Sequence, residues 1–186
     1  MKKNLLAYMP LLILAVIALA SCNPTTENEQ ELITTVKLTL TPTTGGADII
    51  LEFKDLDGDG GNAPTHTVSG PIEANKSYIG SLEILNETTS PADDIAAEVQ
   101  TEGTAHQIFY QTSGVVDMVF IYTDTDTNGK PIGLMTQLAS GNVGTGVLRI
   151  VLRHEPDKSA QNVSTGDLLN AGGETDFDVS FDITVQ

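Results

Sequence analysis

From Leu32 onward, apolar and polar residues alternate along the chain. Val36, Leu38 and Leu40 are separated by Lys37 and Thr39, and Ile49, Leu51 and Phe53 by Ile50 and Glu52, with Ile50 breaking the polar register. Tyr78, Leu82 and Ile84 share one parity, as do Val116, Met118, Phe120 and Tyr122, and Leu148, Ile150 and Leu152. The last stretch is the cleanest: Phe177, Val179, Phe181, Ile183 and Val185 interleave with Asp176, Asp178, Ser180, Asp182 and Thr184. A period of two marks strands with one dry and one wet face. Turn-forming runs separate them, at Pro42–Gly46, Asp57–Gly61, Asn128-Gly129 and Gly141–Gly146. One helix is expected, with Ser90 as cap, Pro91 in the first turn beside Asp93 and Asp94, Ile95 and Val99 on one face, and Gly103 at the end. The pattern therefore predicts an all-β fold over residues 32–186, an antiparallel β-sandwich of about eight strands with one short acidic helix.

The segment before this domain reads as an address. Lys2 and Lys3 precede an apolar run from Leu5 to Ala20, the order of a secretory leader. The run is also close to the shortest length that spans a bilayer, but Pro10 and the terminal Cys22 favour processing. Leu19-Ala20-Ser21-Cys22 resembles the bacterial lipobox, which implies cleavage after residue 21 and lipidation of Cys22. Residues 23–31 (NPTTENEQE) have no large apolar side chain, so residues 22–31 read as a lipidated cysteine and a disordered tether. Extended, that tether reaches roughly 30 Å, at about 3.3 Å per residue. Asn23 stands where an inner-membrane retention signal would carry aspartate, which points to the outer membrane, on its periplasmic or extracellular face.

Charge narrows the partners. The net charge is −16, and loss of the leader removes two lysines and no acid, leaving the mature chain more acidic still. Such a surface repels nucleic acid and attracts cations. Cys22 is the sole cysteine, so the fold stands without a disulfide, and the absence of tryptophan weakens a sugar-stacking role.

Two loops are candidate calcium sites. Asp55, Asp57 and Asp59, followed by Gly60, and Asp124, Asp126 and Asn128, followed by Gly129, each repeat the first half of a calcium loop, with oxygens at alternate positions and a glycine for the turn. Position twelve, where a bidentate glutamate belongs, is His66 in one and Met135 in the other, so a carboxylate such as Glu73 or Glu52 would have to complete the first. Asp, Asn and Gly also build hairpin turns unaided, and the second loop reads more readily that way. His66, His106 and His154 each share parity with a strand edge and would form a transition-metal site if those edges met. No G-x-S-x-G, S-x-x-K or H-E-x-x-H motif is present, so the chain does not read as an enzyme.

The segments DLDGDGGNAP (55–64), SLEILNETTSPADDI (81–95), YTDTDTNGKPIGL (122–134), LRHEPDKSA (152–160) and NAGGETDFDVSFDI (170–183) resemble a family of small Gram-negative surface lipoproteins often labelled "type 1 periplasmic binding fold superfamily protein". That label implies two α/β lobes around parallel sheets, which the alternating strands of this chain do not predict. The resemblance implies a surface lipoprotein that accompanies an outer-membrane transporter. The expectation is a non-catalytic binding or accessory module for a nutrient or metal transporter; the alternative is a structural or adhesive surface lipoprotein whose loops calcium stabilises.

Overall fold

A computed structural model describes residues 32–58 and 61–186. The first strand shows how the alternation becomes a layer. In β1 (Thr35–Pro42), Val36, Leu38 and Leu40 are completely enclosed, while Thr41 faces out. It pairs on one side with β2 (Ile49–Lys54) and on the other with β4 (Ser77–Asn86), both antiparallel. β3 (Thr65–Val68) extends the sheet beyond β2, and β8 (Met135–Ser140) and β7 (Met118–Tyr122) extend it beyond β4. The order of this larger sheet is β3-β2-β1-β4-β8-β7, with the two-residue β5 (Asp93–Asp94) pairing to the end of β4. The smaller sheet is β10-β9-β6, from Glu174–Val185, Gly144–His154 and His106–Gly114, again antiparallel throughout.

The expected antiparallel sandwich is the observed architecture. One apolar core joins the inward faces of the two sheets, from Val36, Leu38 and Tyr78 on one to Ile150, Leu152 and Phe181 on the other. Both lateral seams are stapled by rings. Tyr110 of β6 stacks on Phe120 of β7 with centroids 4.5 Å apart. The Tyr122 hydroxyl donates to the Ile108 carbonyl at 2.8 Å, and burial pushes that phenol up to about 12. At the opposite seam His66 of β3 sits edge-on between Phe53 and Phe181.

The two outer faces differ. Residues 155–173, with a single 3-10 turn at Val163–Thr165, fold back over the smaller sheet and bury Phe109 and Val151 beneath Val163 and Ala171. Gln107 and Gln111 hold this cover by donating to the carbonyls of Val163 and Gly166, each at 2.8 Å. The larger sheet has no such cover among the described residues; its outer face is open.

Two local expectations are corrected. The helix α1 begins at Ile95 and runs to Thr101, four residues later than Pro91 would start it. Asp93 and Asp94 are drawn into pairing with Asn86 and Leu85, and the Asp94 carboxylate, not Ser90, caps the helix by accepting from the Ala97 amide at 3.1 Å. The strand β8 had no apolar alternation to reveal it, because two of its three inward residues are Thr136 and Ser140.

Candidate functional site

The second aspartate loop, between β7 and β8, is folded on its own hydrogen bonds. Asp124 accepts from the amides of Gly133, Leu134 and Met135 at 2.8 to 3.1 Å. Asp126 accepts from the amides of Asn128 and Lys130 through one oxygen, and its other oxygen meets the Lys158 ammonium at 3.0 Å. Lys158, from the segment covering the smaller sheet, also donates to the carbonyls of Gly103 and Pro131. Its three N–H donors thus find three acceptors. An ammonium therefore occupies the position beside Asp126 that a bound cation would take, and Asn128 contributes its backbone amide, a donor, toward Asp126.

The first loop, between β2 and β3, is an exposed turn. Asp55 accepts from the Gly58 amide, and Asp57 accepts from the amide and side chain of Asn62, bonds that hold the Asp57 carboxyl below the usual range. Asp59 lies outside the described residues. Of the other acids the first loop would need, Glu73 pairs with Lys76 near the far end of β1, and Glu52 lies within β2 in register with Lys37.

The three histidines do not meet. His66 lies beside Ser180 of β10, with Nδ1 3.0 Å from its carbonyl, whereas His154 is registered against Glu174 on the same strand. Six residues of strand, roughly 20 Å at about 3.3 Å each, separate these two positions. His106 and His154 do meet, as direct partners in the β6–β9 pairing, with rings stacked 4.9 Å apart. Next to them stands Asp176, at the irregularity where β10 shifts register. Its side chain is almost fully enclosed, its Oδ2 is 3.9 Å from His106 Nε2, and that oxygen has no hydrogen-bond partner. Burial pushes the His106 imidazole down and the Asp176 carboxyl up, while their mutual attraction opposes both.

The open face of the larger sheet is the largest feature that the sequence reading did not single out. Val119 and Ile121 of β7 lie opposite Ala139 and Gln137 of β8. The Ile121–Gln137 row continues through Ile79 of β4 to Thr41 of β1, the Val119–Ala139 row ends at Ser77 of β4, and the row beside Ile121 runs from Met135 through Ser81 and Thr39 to Ile50 of β2. Val119 and Ile121 are 55% and 54% exposed, and Ile79, Met135 and Ile50 are also solvent-facing. No charged side chain falls within these rows; charged residues border them, in the row Glu52–Lys37–Glu83, where Lys37 pairs with Glu83, and at Asp117, one row beyond Val119. Ile50, the residue that broke the polar register of β2, was the sequence signal for this face. Asp176 and Lys158 carried no signal of their own, since one sits on the wet parity of its strand and the other in a loop.

Among the described residues no helix is long and apolar enough to cross a membrane. The leader, Cys22 and the tether lie outside the described residues. No family model, curated protein or solved structure matches the chain.

Proposed function

We propose that this protein is a lipid-anchored, non-catalytic module of the outer membrane that docks an integral transporter through the open face of its larger sheet. The observation that carries the reading is that face: exposed Ile79, Val119, Ile121 and Met135 with no charged side chain in their rows, on a chain of net charge −16. Contiguous exposed apolar surface on an otherwise polar protein marks an interaction site.

Size argues for a partner in the same membrane. Rows of three, four and four residues, each position about 4.8 Å by about 6.6 Å, make roughly 350 Å², under half of the ~800 Å² that each partner buries in a stable complex. Such a patch is weak in free solution. A lipid on Cys22 would confine both partners to one surface, and the higher effective concentration offsets the small contact. The test replaces Ile121 by Lys and Val119 by Glu in the full, lipidated chain. Copurification with an outer-membrane β-barrel should be lost while the melting temperature holds; undiminished copurification would overturn the reading.

A second reading rests on the first aspartate loop, where Asp55 and Asp57 stand at one tip with Asp57 exposed and ionised. There, calcium would stiffen a structural or adhesive surface protein. Excess calcium should then raise the melting midpoint, and Asp57→Asn should abolish the rise; a midpoint indifferent to calcium removes this reading.

A further inference from the structure

We propose that His106, His154 and Asp176 form a binding site for a divalent transition ion of the zinc class. A backbone carbonyl sets the tautomer of His106. Its Nδ1 is 3.2 Å from the carbonyl oxygen of Glu102. A carbonyl can only accept, so the ring proton sits on Nδ1, and Nε2 of the neutral imidazole keeps its lone pair. That arrangement, a ring N–H held by a backbone carbonyl, is the one that orients metal-binding histidines.

The lone pair faces Asp176. Its Oδ2 is buried, lacks a partner, and lies 3.9 Å from His106 Nε2. Two electron-pair donors thus confront each other inside the protein with no donor between them, an arrangement that costs free energy when left empty. The gap is too long for a hydrogen bond, which ends near about 3.2 Å. Two ligands of a tetrahedral zinc, each bonded at about 2.0–2.1 Å, lie about 3.4 Å apart, so closing the gap by about half an ångström lets both atoms reach one ion. One ion between the two atoms satisfies both.

His154 supplies the third ligand. It is the strand partner of His106, its ring is in contact with the His106 ring, and it is only partly buried, which leaves the site a route to solvent. The two rings are stacked, and among the described residues no three such groups already converge as a cage. Binding therefore requires the outer ring, His154, to turn out of its stack while His106 and Asp176 close by about half an ångström. The donor set of two imidazoles and one carboxylate, with water completing the sphere, suits zinc and not calcium, which takes six or more oxygens. His66, on the other seam, takes no part.

The test is calorimetric titration of the mature chain with zinc, with calcium as control, on the wild type and on two conservative variants. His154→Gln alters a partly buried residue, and Asp176→Asn keeps the shape of the buried one, so both should fold, as metal-free melts will check. Zinc should bind with one-to-one stoichiometry, and each variant should lose at least about tenfold in affinity. Cobalt in place of zinc should give the visible absorption of a four-coordinate site in the wild type and not in His154→Gln. No saturable zinc binding, or binding unchanged in either variant, would overturn the assignment.

Discussion

Lys158 Nζ lies 3.0 Å from Asp126 Oδ2, and both side chains are almost completely enclosed. Burial pushes the lysine ammonium down, and the carboxylates of Asp126 and Asp124 pull it back. The ammonium is the form the geometry requires, because three acceptors surround Nζ and a neutral amine has only two hydrogens to give. Lys158 ties three segments together: the β7–β8 loop, the turn after α1 at Gly103, and the cover of the smaller sheet. Lys158→Met leaves Asp126 buried and unpaired, and should destabilise the fold by about 3–5 kcal/mol. Adding Asp126→Leu should recover part of that loss, since two apolar residues leave no orphaned charge. Denaturant unfolding of the single and double variants measures both.

The same carboxylate sets an acid limit. Burial pushes Asp126 up, but the amides of Lys130 and Asn128 and the Lys158 ammonium outweigh it and hold it below the usual range. A carboxylate depressed on folding contributes stability above its unfolded value, near about 3.9, and that contribution disappears as the pH falls through the folded value. The melting temperature of the wild type should therefore fall below about pH 4. Asp126→Asn should be less stable than the wild type at neutral pH, with a shallower acid decline. A parallel decline in both would assign the acid sensitivity elsewhere.

Gly133 couples the loop to both sheets. Its amide donates to Asp124, its carbonyl accepts from Tyr110, and its φ of +99° lies where side chains are disfavoured. A Cβ there would come within 3.0 Å of the Ile108 backbone and 2.9 Å of the Tyr122 ring. Gly133→Ala should cost about 2–4 kcal/mol, combining backbone strain with overpacking. Thermal unfolding checks it, and a loss under about 0.5 kcal/mol would show that the loop relaxes freely, since that is the usual scale of surface substitutions.

How far the sequence led depended on where each residue's neighbours came from. Strands whose inward residues are all apolar, such as β1 and β10, were readable from alternation alone. β8 was not, because Thr136 and Ser140 point inward beside Leu138. In β6 the first five residues, His106 to Tyr110, are all buried, since the chain after β9 covers the second face and erases the period. The aspartate loops were visible as turns, but the cation beside Asp126 comes from Lys158, 32 residues away, and local spacing could not supply it. That His106 and His154 are direct partners follows from the β6–β9 register, which parity within one strand does not supply. Asp176 was hidden because its position in the alternation marks it as wet, and the register shift turns it inward.

Anchoring makes its own prediction. The mature protein should begin at Cys22 and carry acyl chains there, giving an intact mass well above that of the bare polypeptide. Cys22→Ser should leave the membrane fraction. A chain that retains Lys2 and Lys3, or a membrane-free wild type, would remove the anchor and with it the case for a membrane-confined partner.

The docking face itself is tested most directly by placing a photo-crosslinking residue at position 121 in intact cells, with position 98 on the exposed side of α1 as the control. Position 121 should give an adduct with an integral outer-membrane β-barrel, absent from position 98 and lost when Cys22 is replaced. Equal labelling from both positions, or no adduct with a membrane protein from position 121, would contradict docking through this face.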